Sequence, residues 1–365
     1  MEKLIYIFLG LLIVACSGSD DSGGNDSTAP IITLNGQAIA TVNLNSTYTD
    51  AGATAVDDVD GDLTSSIVTS GTVNVNSIGT YTITYSVSNS AGNIGAASRR
   101  VNIIEDYENP VYLDDNGITI KAKEWSEVGA VGEINGITYT IVDKLMLLGF
   151  IENESDVTKL VTTKITNMNL LFYEATNFNQ AIESWDVSNV TDMYCMFWAA
   201  SLFNKDIGIW DVSNVNNMNN MFTQANAFNQ DIGNWNVSNV TSMRGLFVNA
   251  SNFNQALENW DVSNVDSMRG LFVNASNFNQ DIGNWNVGNV TNMNWMFYKA
   301  TSFNQALENW DVSFVDEMYG MFSDADSYNQ NLSSWNVENV TLCGAFNANT
   351  TQWILPKPTF TNCTP

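Results

Sequence analysis

The sequence contains no histidine among its 365 residues. This absence removes the most common general base and metal ligand of proteins, and it excludes every Ser–His and Cys–His catalytic arrangement. A phosphate-binding glycine loop and a zinc-type cysteine cluster are missing as well. We therefore expect no enzymatic activity, no nucleotide binding and no cofactor apart from the calcium considered below. A glycan hydrolase that uses two carboxylates is the remaining catalytic alternative, because acidic residues are abundant.

Cations are scarce. The chain has 13 Lys and Arg residues against 39 Asp and Glu residues, which gives a formal net charge of −26. Nucleic acids and anionic lipid headgroups are bound through Lys and Arg, so we expect neither as a partner. The acidic balance is compatible with cation binding and with solubility.

The longest apolar run is short. After Lys3 the sequence reads LIYIFLGLLIVA and then reaches Cys16, a pattern that predicts a secretory signal peptide over residues 1–15 rather than a spanning helix. The end of this run, IVAC, resembles the lipobox of bacterial lipoproteins. The resemblance implies that Cys16 carries the lipid that anchors the protein in the outer membrane. An ordinary signal peptide with a chance cysteine is the alternative.

Residues 16–28 form a Ser/Gly/Asp tract that predicts a flexible tether. Its opening SGSDD is similar to the signals that send Bacteroidetes lipoproteins to the outer face of the outer membrane. The resemblance implies a lipid-anchored protein at the bacterial cell surface. An inward-facing, periplasmic position is the alternative.

Residues 29–104 alternate apolar and polar residues and predict an all-β domain. The phrases TYTDAGATAVDDVDGDLTSS (47–66) and GTYTITYSVSNSAGN (79–93) resemble the immunoglobulin-like domains of bacterial surface proteins, which implies a sandwich that acts as a spacer. One loop of this domain concentrates carboxylates that are candidate calcium ligands. A solvated turn without a metal is the alternative. The candidate ligands are Asp57, Asp58, Asp60 and Asp62.

A tryptophan then recurs every 25 residues, which indicates a stack of repeated units. Within one unit, Trp235 and Val237 have the two-residue spacing of a strand. From Val240 to Ala250 the apolar residues follow the spacing of a helical face. We therefore predict an α+β repeat solenoid, leucine-rich-repeat-like, with one short strand and one short helix in each coil, preceded by the immunoglobulin-like domain. The recurring residues are Trp185, Trp210, Trp235, Trp260, Trp285, Trp310 and Trp335.

The repeated phrase FNQDIGNWNVSNV (228–240), followed by MRGLF (243–247), resembles the BspA-like leucine-rich-repeat surface proteins. The resemblance covers residues 157–346 and implies attachment or ligand binding at the cell surface, with no catalytic residues. Residues 105–156 predict an N-terminal cap made of two hairpins and a helix, because each of two Asn-Gly pairs separates apolar runs. Residues 347–365 form the C-terminal cap.

Four cysteines occur in the whole chain. If the signal peptide is real, the protein folds in an oxidising compartment. Cys343 stands where other units carry a core methionine, and Cys363 lies near the terminus, so we predict a disulfide between them. Cys195 falls outside the apolar pattern and is interpreted as an exposed or half-buried thiol without a function.

Two sets of residues are candidates for ligand binding. The first is a ladder between the repeated Trp and Val, pointing away from the buried pair, and a solvated face is its alternative. The second consists of aromatic anchors outside the apolar pattern, and packing between neighbouring coils is the alternative for these. The ladder comprises Asp186, Asp211, Asn236, Asp261, Asn286, Asp311 and Asn336, and the anchors are Tyr194, Trp198, Trp295, Tyr298 and Tyr319.

Together these features predict a non-catalytic surface lipoprotein whose repeats bind an extracellular protein or polysaccharide. A structural or assembly role in the cell envelope, without a soluble ligand, is the alternative function.

Overall fold

The fold is taken from a computed structural model that describes residues 26–105 and 109–365. The predicted signal peptide and Cys16 lie outside these residues. The chain divides into two compact units, Met1–Tyr107 and Glu108–Pro365. Within the described ranges, none of the helices has the length and apolar character needed to cross a bilayer.

The first unit contains two sheets and one short 3-10 turn, Thr64–Ser66. One sheet has the strand order β1-β3-β4 and the other the order β2-β7-β6-β5. Neighbouring strands are antiparallel except for the parallel pair β2–β7. The strands are β1 (Ile31–Leu34), β2 (Ile39–Asn43), β3 (Ala53–Asp57), β4 (Gly61–Asp62), β5 (Val68–Ser70), β6 (Gly79–Ser88) and β7 (Ile94–Ile104).

The core of the first unit follows from alternation along β6 and β7. Ile83 and Tyr85 point to the same side of β6, and both are buried together with Val101 and Ile103 of β7. The alternation of apolar and polar residues noted for residues 29–104 is therefore present in β6 and β7.

The second unit opens with the predicted hairpins and helix. Strands β8 (Val111–Leu113) and β9 (Ile120–Ala122) flank one Asn-Gly pair, and β10 (Val131–Ile134) and β11 (Ile137–Ile141) flank the other. Helix α1 (Lys144–Glu152) begins after Asp143, whose side chain accepts a hydrogen bond from the Met146 amide at 2.8 Å. A short strand, β12 (Leu160–Val161), pairs with β11 in parallel.

The repeated apolar residues form one continuous core, as predicted. The seven repeated tryptophans are between 1% and 5% exposed, and the Val, Met and Phe residues that recur at equivalent positions, such as Val237, Met243 and Phe247, are buried with them. Phe side chains at equivalent positions of neighbouring coils stack with centroids 5.3–5.8 Å apart, as in the pairs Phe197–Phe222, Phe222–Phe247 and Phe297–Phe322. Each coil thus covers the aromatic rings of the next one.

The predicted α+β leucine-rich-repeat solenoid is wrong. In the described residues the single α-helix is α1, and the repeats consist of turns rather than a strand and a helix in each coil. Isolated parallel bridges take the place of strands. They join Asn167 to Asp192, Asp192 to Asn217, Asn217 to Ser242, Ser242 to Ser267, Ser267 to Asn292, Asn292 to Glu317 and Glu317 to Leu342.

Backbone hydrogen bonding explains why the helical spacing of apolar residues does not produce helices. In one coil the amides of Met193 and Cys195 donate to the carbonyls of Asn217 and Asn219 in the next coil, at 2.9 and 3.0 Å. The Phe197 and Ala199 amides also donate to the next coil. The Trp198 amide between them donates to the Cys195 carbonyl, three residues earlier in its own coil. A helix would need all these amides for its own i to i−4 bonds. Positive φ angles at Cys195 (52°) and Ala199 (56°) also break any helix.

Side chains complete the pairing between coils. Each repeated indole donates to a backbone carbonyl 28 residues earlier, as Trp260 does to Ile232 at 3.0 Å. A ladder of asparagine residues pairs with backbone amides of the neighbouring coil. For example, Asn254 Oδ1 accepts a hydrogen bond from the Asn279 amide at 2.9 Å. These contacts satisfy groups that no regular element pairs.

A third ladder has one gap, which yields a prediction. The side-chain amide of Asn289 donates to the Ser263 carbonyl at 2.6 Å, and Asn339 donates to Ser313 at 2.7 Å. Phe314 occupies the equivalent position between them and is 65% exposed. We expect Phe314→Asn to raise the free energy of unfolding by about 0.5–1 kcal/mol, because it supplies the missing hydrogen bond. Denaturant unfolding followed by circular dichroism measures this, with Phe314→Ala as the control that removes the ring only. Equal stabilities of the two variants would contradict the prediction.

Candidate functional site

The predicted ladder of Asp and Asn residues is used within each coil. In every rung Oδ1 accepts a hydrogen bond from the backbone amide two residues later, as Asp261 does from Ser263 at 3.0 Å. Hydrogen bonds from the Ser263 side chain and amide lower the pKa of Asp261, and Ser313 lowers that of Asp311 in the same way. The equivalent bonds at Asp186, Asp211, Asn236, Asn286, Asp311 and Asn336 measure 3.0–3.2 Å.

The first rung is covered. Asp186 is 2% exposed, and its Oδ2 has no hydrogen-bond partner among the described residues. The hairpin β8–β9 lies over this coil, since the Ile120 amide donates to the Ser184 carbonyl at 2.9 Å. Burial disfavours the nearby Lys121 ammonium, but its bond to Asp114 and the charge of Asp186 outweigh this and raise its pKa. The side chains that remain exposed begin at Asp211.

The predicted aromatic anchors lie on one repeated stretch of the coils. We call these eight-residue stretches the turn segments, and we call the surface made by their exposed side chains the turn face. Tyr194, Trp295 and Tyr319 are each 37–38% exposed, and Trp198 and Tyr298 are half-buried. The turn segments are residues 167–174, 192–199, 217–224, 242–249, 267–274, 292–299, 317–324 and 342–349.

The anchors form two clusters on the turn face. Near α1, the Trp198 ring lies 6.1 Å from that of Tyr173. Further along, Trp295 and Tyr319 meet edge to face at 5.7 Å. Gly320 makes room for this arrangement, because a Cβ atom there would lie 2.5 Å from Trp295 Cδ1.

Two cations accompany the second cluster. The Arg269 guanidinium lies over the Trp295 ring at 5.1 Å from the centroid, and the Lys299 ammonium lies 5.1 Å from that of Tyr298. The sequence analysis missed them because it summed charge over the whole chain. Counting the charged residues separately in each turn segment reveals both cations.

The first cluster borders a groove of about 620 Å³ beside α1. Leu148 and Ile151 of the helix line one side, and Tyr173, Tyr194 and Trp198 line the other. Cys195 also lines this groove and is 2% exposed, so the expectation of an exposed or half-buried thiol is wrong. Burial raises the pKa of this thiol. The groove is apolar and has the aromatic lining found in many ligand sites.

The four predicted calcium ligands do not come together. Asp57 and Asp58 approach Asp26, and one carboxylate oxygen of each lies within 4.8 Å of the others. Asp60 instead accepts from Ser90 Oγ at 2.9 Å, and Asp62 accepts from the Thr64 amide at 2.9 Å. The sequence analysis missed Asp26 because it lies 31 residues before Asp57. Calcium binding stays a prediction.

Hydrogen-bond donors already neutralise part of this cluster. The Asn89 side-chain amide donates to Asp26 at 2.6 Å and to Asp57 at 3.2 Å. The Thr28 backbone amide donates to Asp26 at 2.9 Å, and its hydroxyl donates to Asp58 at 2.5 Å. Hydrogen bonds from the backbone amides of Asp60 and Val59 and from the Asn89 side chain lower the pKa of Asp57. These donors occupy oxygens that a calcium ion would need, because it takes six to eight ligands.

The remaining predicted pair lies at the end of the chain. Cys343 and Cys363 form a disulfide across 20 residues. Among the described residues Cys195 is the free cysteine.

Comparison with known proteins finds a family model that matches each of the two units. The family model "Bacterial surface protein, Ig-like domain" matches residues 32–103, which confirms the predicted immunoglobulin-like domain and indicates a location at the cell-envelope surface. The solved lipoprotein BT2262 from Bacteroides thetaiotaomicron is 22% identical over 23% of this chain, with a TM-score of 0.20. The match spans 43% of that protein's length. No protein of curated function matches the chain.

The repeats match a second family model, described as "Mycoplasma protein of unknown function, DUF285". The matched residues are 144–260 and 241–354. These ranges cover α1 and all of the repeated tryptophans. They span more than half of the 365 residues, and the chain belongs to the DUF285 family.

Proposed function

We propose that this cell-surface protein binds an extracellular protein or glycan through the turn face, without catalysis, and so promotes attachment. The observation that carries the proposal is the presence of exposed aromatic rings in two clusters on the turn face. Tyr194, Trp295 and Tyr319 remain more than a third exposed although a complete aromatic core lies beneath them. Aromatic side chains of this kind dominate the free energy of many interfaces.

The backbone beneath these rings favours tight binding. The Trp295 amide donates to the Tyr319 carbonyl at 2.8 Å, and the Tyr298 amide donates to the Trp295 carbonyl at 3.1 Å. Buried residues Met296 and Phe297 fix the same segment from inside. A surface held in place in this way loses little conformational entropy when it binds a ligand.

The ladder of Asp and Asn residues is the weaker candidate surface. In each rung Oδ1 already accepts an internal hydrogen bond, so one side-chain atom remains for a ligand. The hairpin β8–β9 buries the first rung, Asp186. We therefore assign recognition to the turn face.

The anchor is part of the same proposal. A lipid on Cys16 would hold the protein in the outer membrane, and the tether and the immunoglobulin-like domain lie between this cysteine and the repeats in the sequence. Several acyl chains give a firm anchor because each buried methylene adds about 0.8 kcal/mol. The resemblance of the repeated phrase to BspA-like surface proteins favours the same role.

The test compares matched aromatic variants of the full chain. Trp198→Ala and Trp295→Ala remove one ring from each cluster, and Phe314→Ala removes an exposed ring outside the turn segments. On protein and glycan arrays, and in adherence of whole cells, we expect at least one turn-face variant to bind roughly tenfold more weakly or worse. Phe314→Ala should bind like the unaltered protein.

Two results would contradict the proposal. One is array binding and adherence that do not change in either turn-face variant. The other is an array without any ligand, together with crosslinking in intact cells that recovers envelope proteins alone. The second result would support the structural role in the envelope instead.

A further inference from the structure

The charge of the turn face is unlike that of the rest of the chain. Four consecutive turn segments contain three cations and no carboxylate, although the chain carries a net charge of −26. Acidic residues return in the flanking segments, with Asp192 on one side and Glu317 on the other. The three cations are Arg244, Arg269 and Lys299.

These cations lack acidic partners. In the described part of the chain, no salt bridge involves Arg244, Arg269 or Lys299. Glu317, in the flanking turn segment, is held by the side-chain amides of Asn292 and Asn294. Within the described residues, no ion pair therefore neutralises these three cations.

Arg244 and Arg269 occupy equivalent positions of adjacent coils. The Gly245 amide donates to the Arg269 carbonyl at 2.9 Å, and the Phe247 and Phe272 rings beneath them are 5.7 Å apart. Like charges placed opposite each other across paired backbones repel. An anion that contacts both guanidinium groups would remove this repulsion and form charge-assisted hydrogen bonds with each.

Aromatic rings adjoin the same cations. Trp295 lies under the Arg269 guanidinium and is 37% exposed, so part of the indole remains open to a ligand. Tyr298 lies beside Lys299. An arrangement of open aromatic surface next to cations suits a sugar ring that carries an acidic group, because the ring stacks on the indole while the anion meets the cation.

We propose that the turn segments 217–224, 242–249, 267–274 and 292–299 bind an acidic polysaccharide. Arg244, Arg269 and Lys299 pair with its carboxylate or sulfate groups, and Trp295 and Tyr298 stack against its sugar rings. This inference rests on the proposed binding role of the turn face and names its ligand class.

The acidic remainder of the protein does not oppose this binding strongly. At physiological ionic strength charges are screened over about 8 Å, so carboxylates on other surfaces contribute little at the turn face. The adjacent cations determine the local interaction. Three cations and stacking rings predict binding that weakens with salt but is not abolished by it.

The experiment measures binding of the full chain to immobilised polysaccharides. Polygalacturonate is the carboxylated probe, its methyl ester is the neutral probe of the same backbone, and heparin is the sulfated probe. We expect the protein to bind at least one acidic probe. Its affinity for the methyl ester should be lower by roughly tenfold or more. Raising salt from about 50 mM to about 500 mM should weaken binding to the acidic probe.

Matched variants locate the site. The double variant R244Q/R269Q should lose roughly tenfold or more in affinity, because two charge-assisted contacts disappear. The conservative variant R244K/R269K should retain part of the affinity. The control K205Q removes a cation outside the turn segments and introduces the glutamine found at the equivalent positions 230 and 255, so its affinity should stay within about twofold. Circular dichroism and tryptophan fluorescence check that each variant is folded.

Several outcomes would overturn this inference. They are equal binding to polygalacturonate and its methyl ester, no binding to any acidic probe, an unchanged affinity of R244Q/R269Q, or equally tight binding of single-stranded DNA. If the array finds a neutral glycan or a protein whose binding needs Trp198 or Trp295, the proposed function stands and this inference alone is wrong. If the array also finds no ligand, both are wrong.

Discussion

Trp260→Ala should lower the free energy of unfolding by about 3–5 kcal/mol, the range for removing a buried tryptophan from a packed core. Trp260 is 3% exposed and stacks on Trp285 at 6.5 Å and on Phe247 at 6.4 Å. Its replacement leaves a cavity between two coils. The Ile232 carbonyl also loses the hydrogen bond from the indole, and a buried acceptor without a partner costs about 1–3 kcal/mol. We therefore expect the upper part of the range.

The position of Trp260 in the stack adds to the effect. In a repeat array each coil is stabilised mainly by its neighbours, so a weakened contact in the middle of the array affects both sides. Trp335 is the last of the seven repeated tryptophans. Another of them, Trp310, stacks on one side of it at 6.3 Å, and no further repeated tryptophan follows on the other side. Trp335→Ala should be less destabilising than Trp260→Ala for this reason.

Denaturant unfolding followed by circular dichroism and fluorescence measures these changes. Phe314→Ala is the control, since it removes an aromatic ring that is 65% exposed, and it should change the stability by less than about 0.5 kcal/mol. A loss below about 1 kcal/mol in Trp260→Ala would contradict the packing described for the core.

The repeats show which part of the fold the sequence specifies. Spacing alone identified the buried residues, because Trp235, Val237 and Met243 recur at fixed intervals and are buried in every coil. The same spacing suggested helices, and this was wrong. Apolar residues three and four apart also face inward in a chain of turns, and the decisive bonds run to the next coil, as from the Met193 amide to Asn217. These bonds join residues 24 apart in sequence and leave no local signal.

The candidate site was predictable to a similar extent. The exposed aromatic residues were found because they interrupt the apolar pattern, as Trp295 does where other units have Gly245 or Gly270. The burial of Asp186 was not predictable, since it depends on a hairpin more than 60 residues earlier. Asp26 was missed beside Asp57 for the same reason: three-dimensional proximity arises from the pairing of strands far apart in sequence.

The second large effect is expected in the immunoglobulin-like domain, where Asp50→Asn should lower the free energy of unfolding by about 3 kcal/mol. Arg99 is 2% exposed and forms an ion pair with Asp50, which also accepts a hydrogen bond from Tyr85. An asparagine keeps the shape but leaves the guanidinium buried without a counter-charge. Its amide also presents donors to a group that has only donors.

Hydrogen exchange of the β6 and β7 amides in the full chain, analysed by mass spectrometry, reports this loss locally. Arg100→Gln is the control, because this neighbour of Arg99 is exposed and forms no ion pair within the described residues. Arg99→Met combined with Asp50→Asn should be less destabilising than the two single changes added together, since the double variant leaves no unpaired charge. Additive losses would show that the pair does not interact.

The pH dependence of hydrogen exchange at the β6 and β7 amides shows in which pH range the Asp50 carboxylate stabilises the domain. Burial disfavours the Asp50 carboxylate, but hydrogen bonds from Tyr85, Arg99 and Tyr48 outweigh it and lower its pKa below the ordinary value of 3.8. The contribution of Asp50 is therefore fully present above that value and is lost as the pH falls through the lower pKa of the folded state. Burial and the neighbouring Asp50 raise the pKa of Tyr85 to about 12, so a second loss should appear as the pH rises from 10 towards 12. Asp50→Asn should abolish the acid loss and reduce the alkaline one. Tyr85→Phe should reduce both, because it removes one of the hydrogen bonds that lower the pKa of Asp50 and leaves Tyr48, whose pKa is also raised by burial and by Asp50. Protection that is the same at pH values above and below 3.8 in the unaltered protein would contradict this assignment.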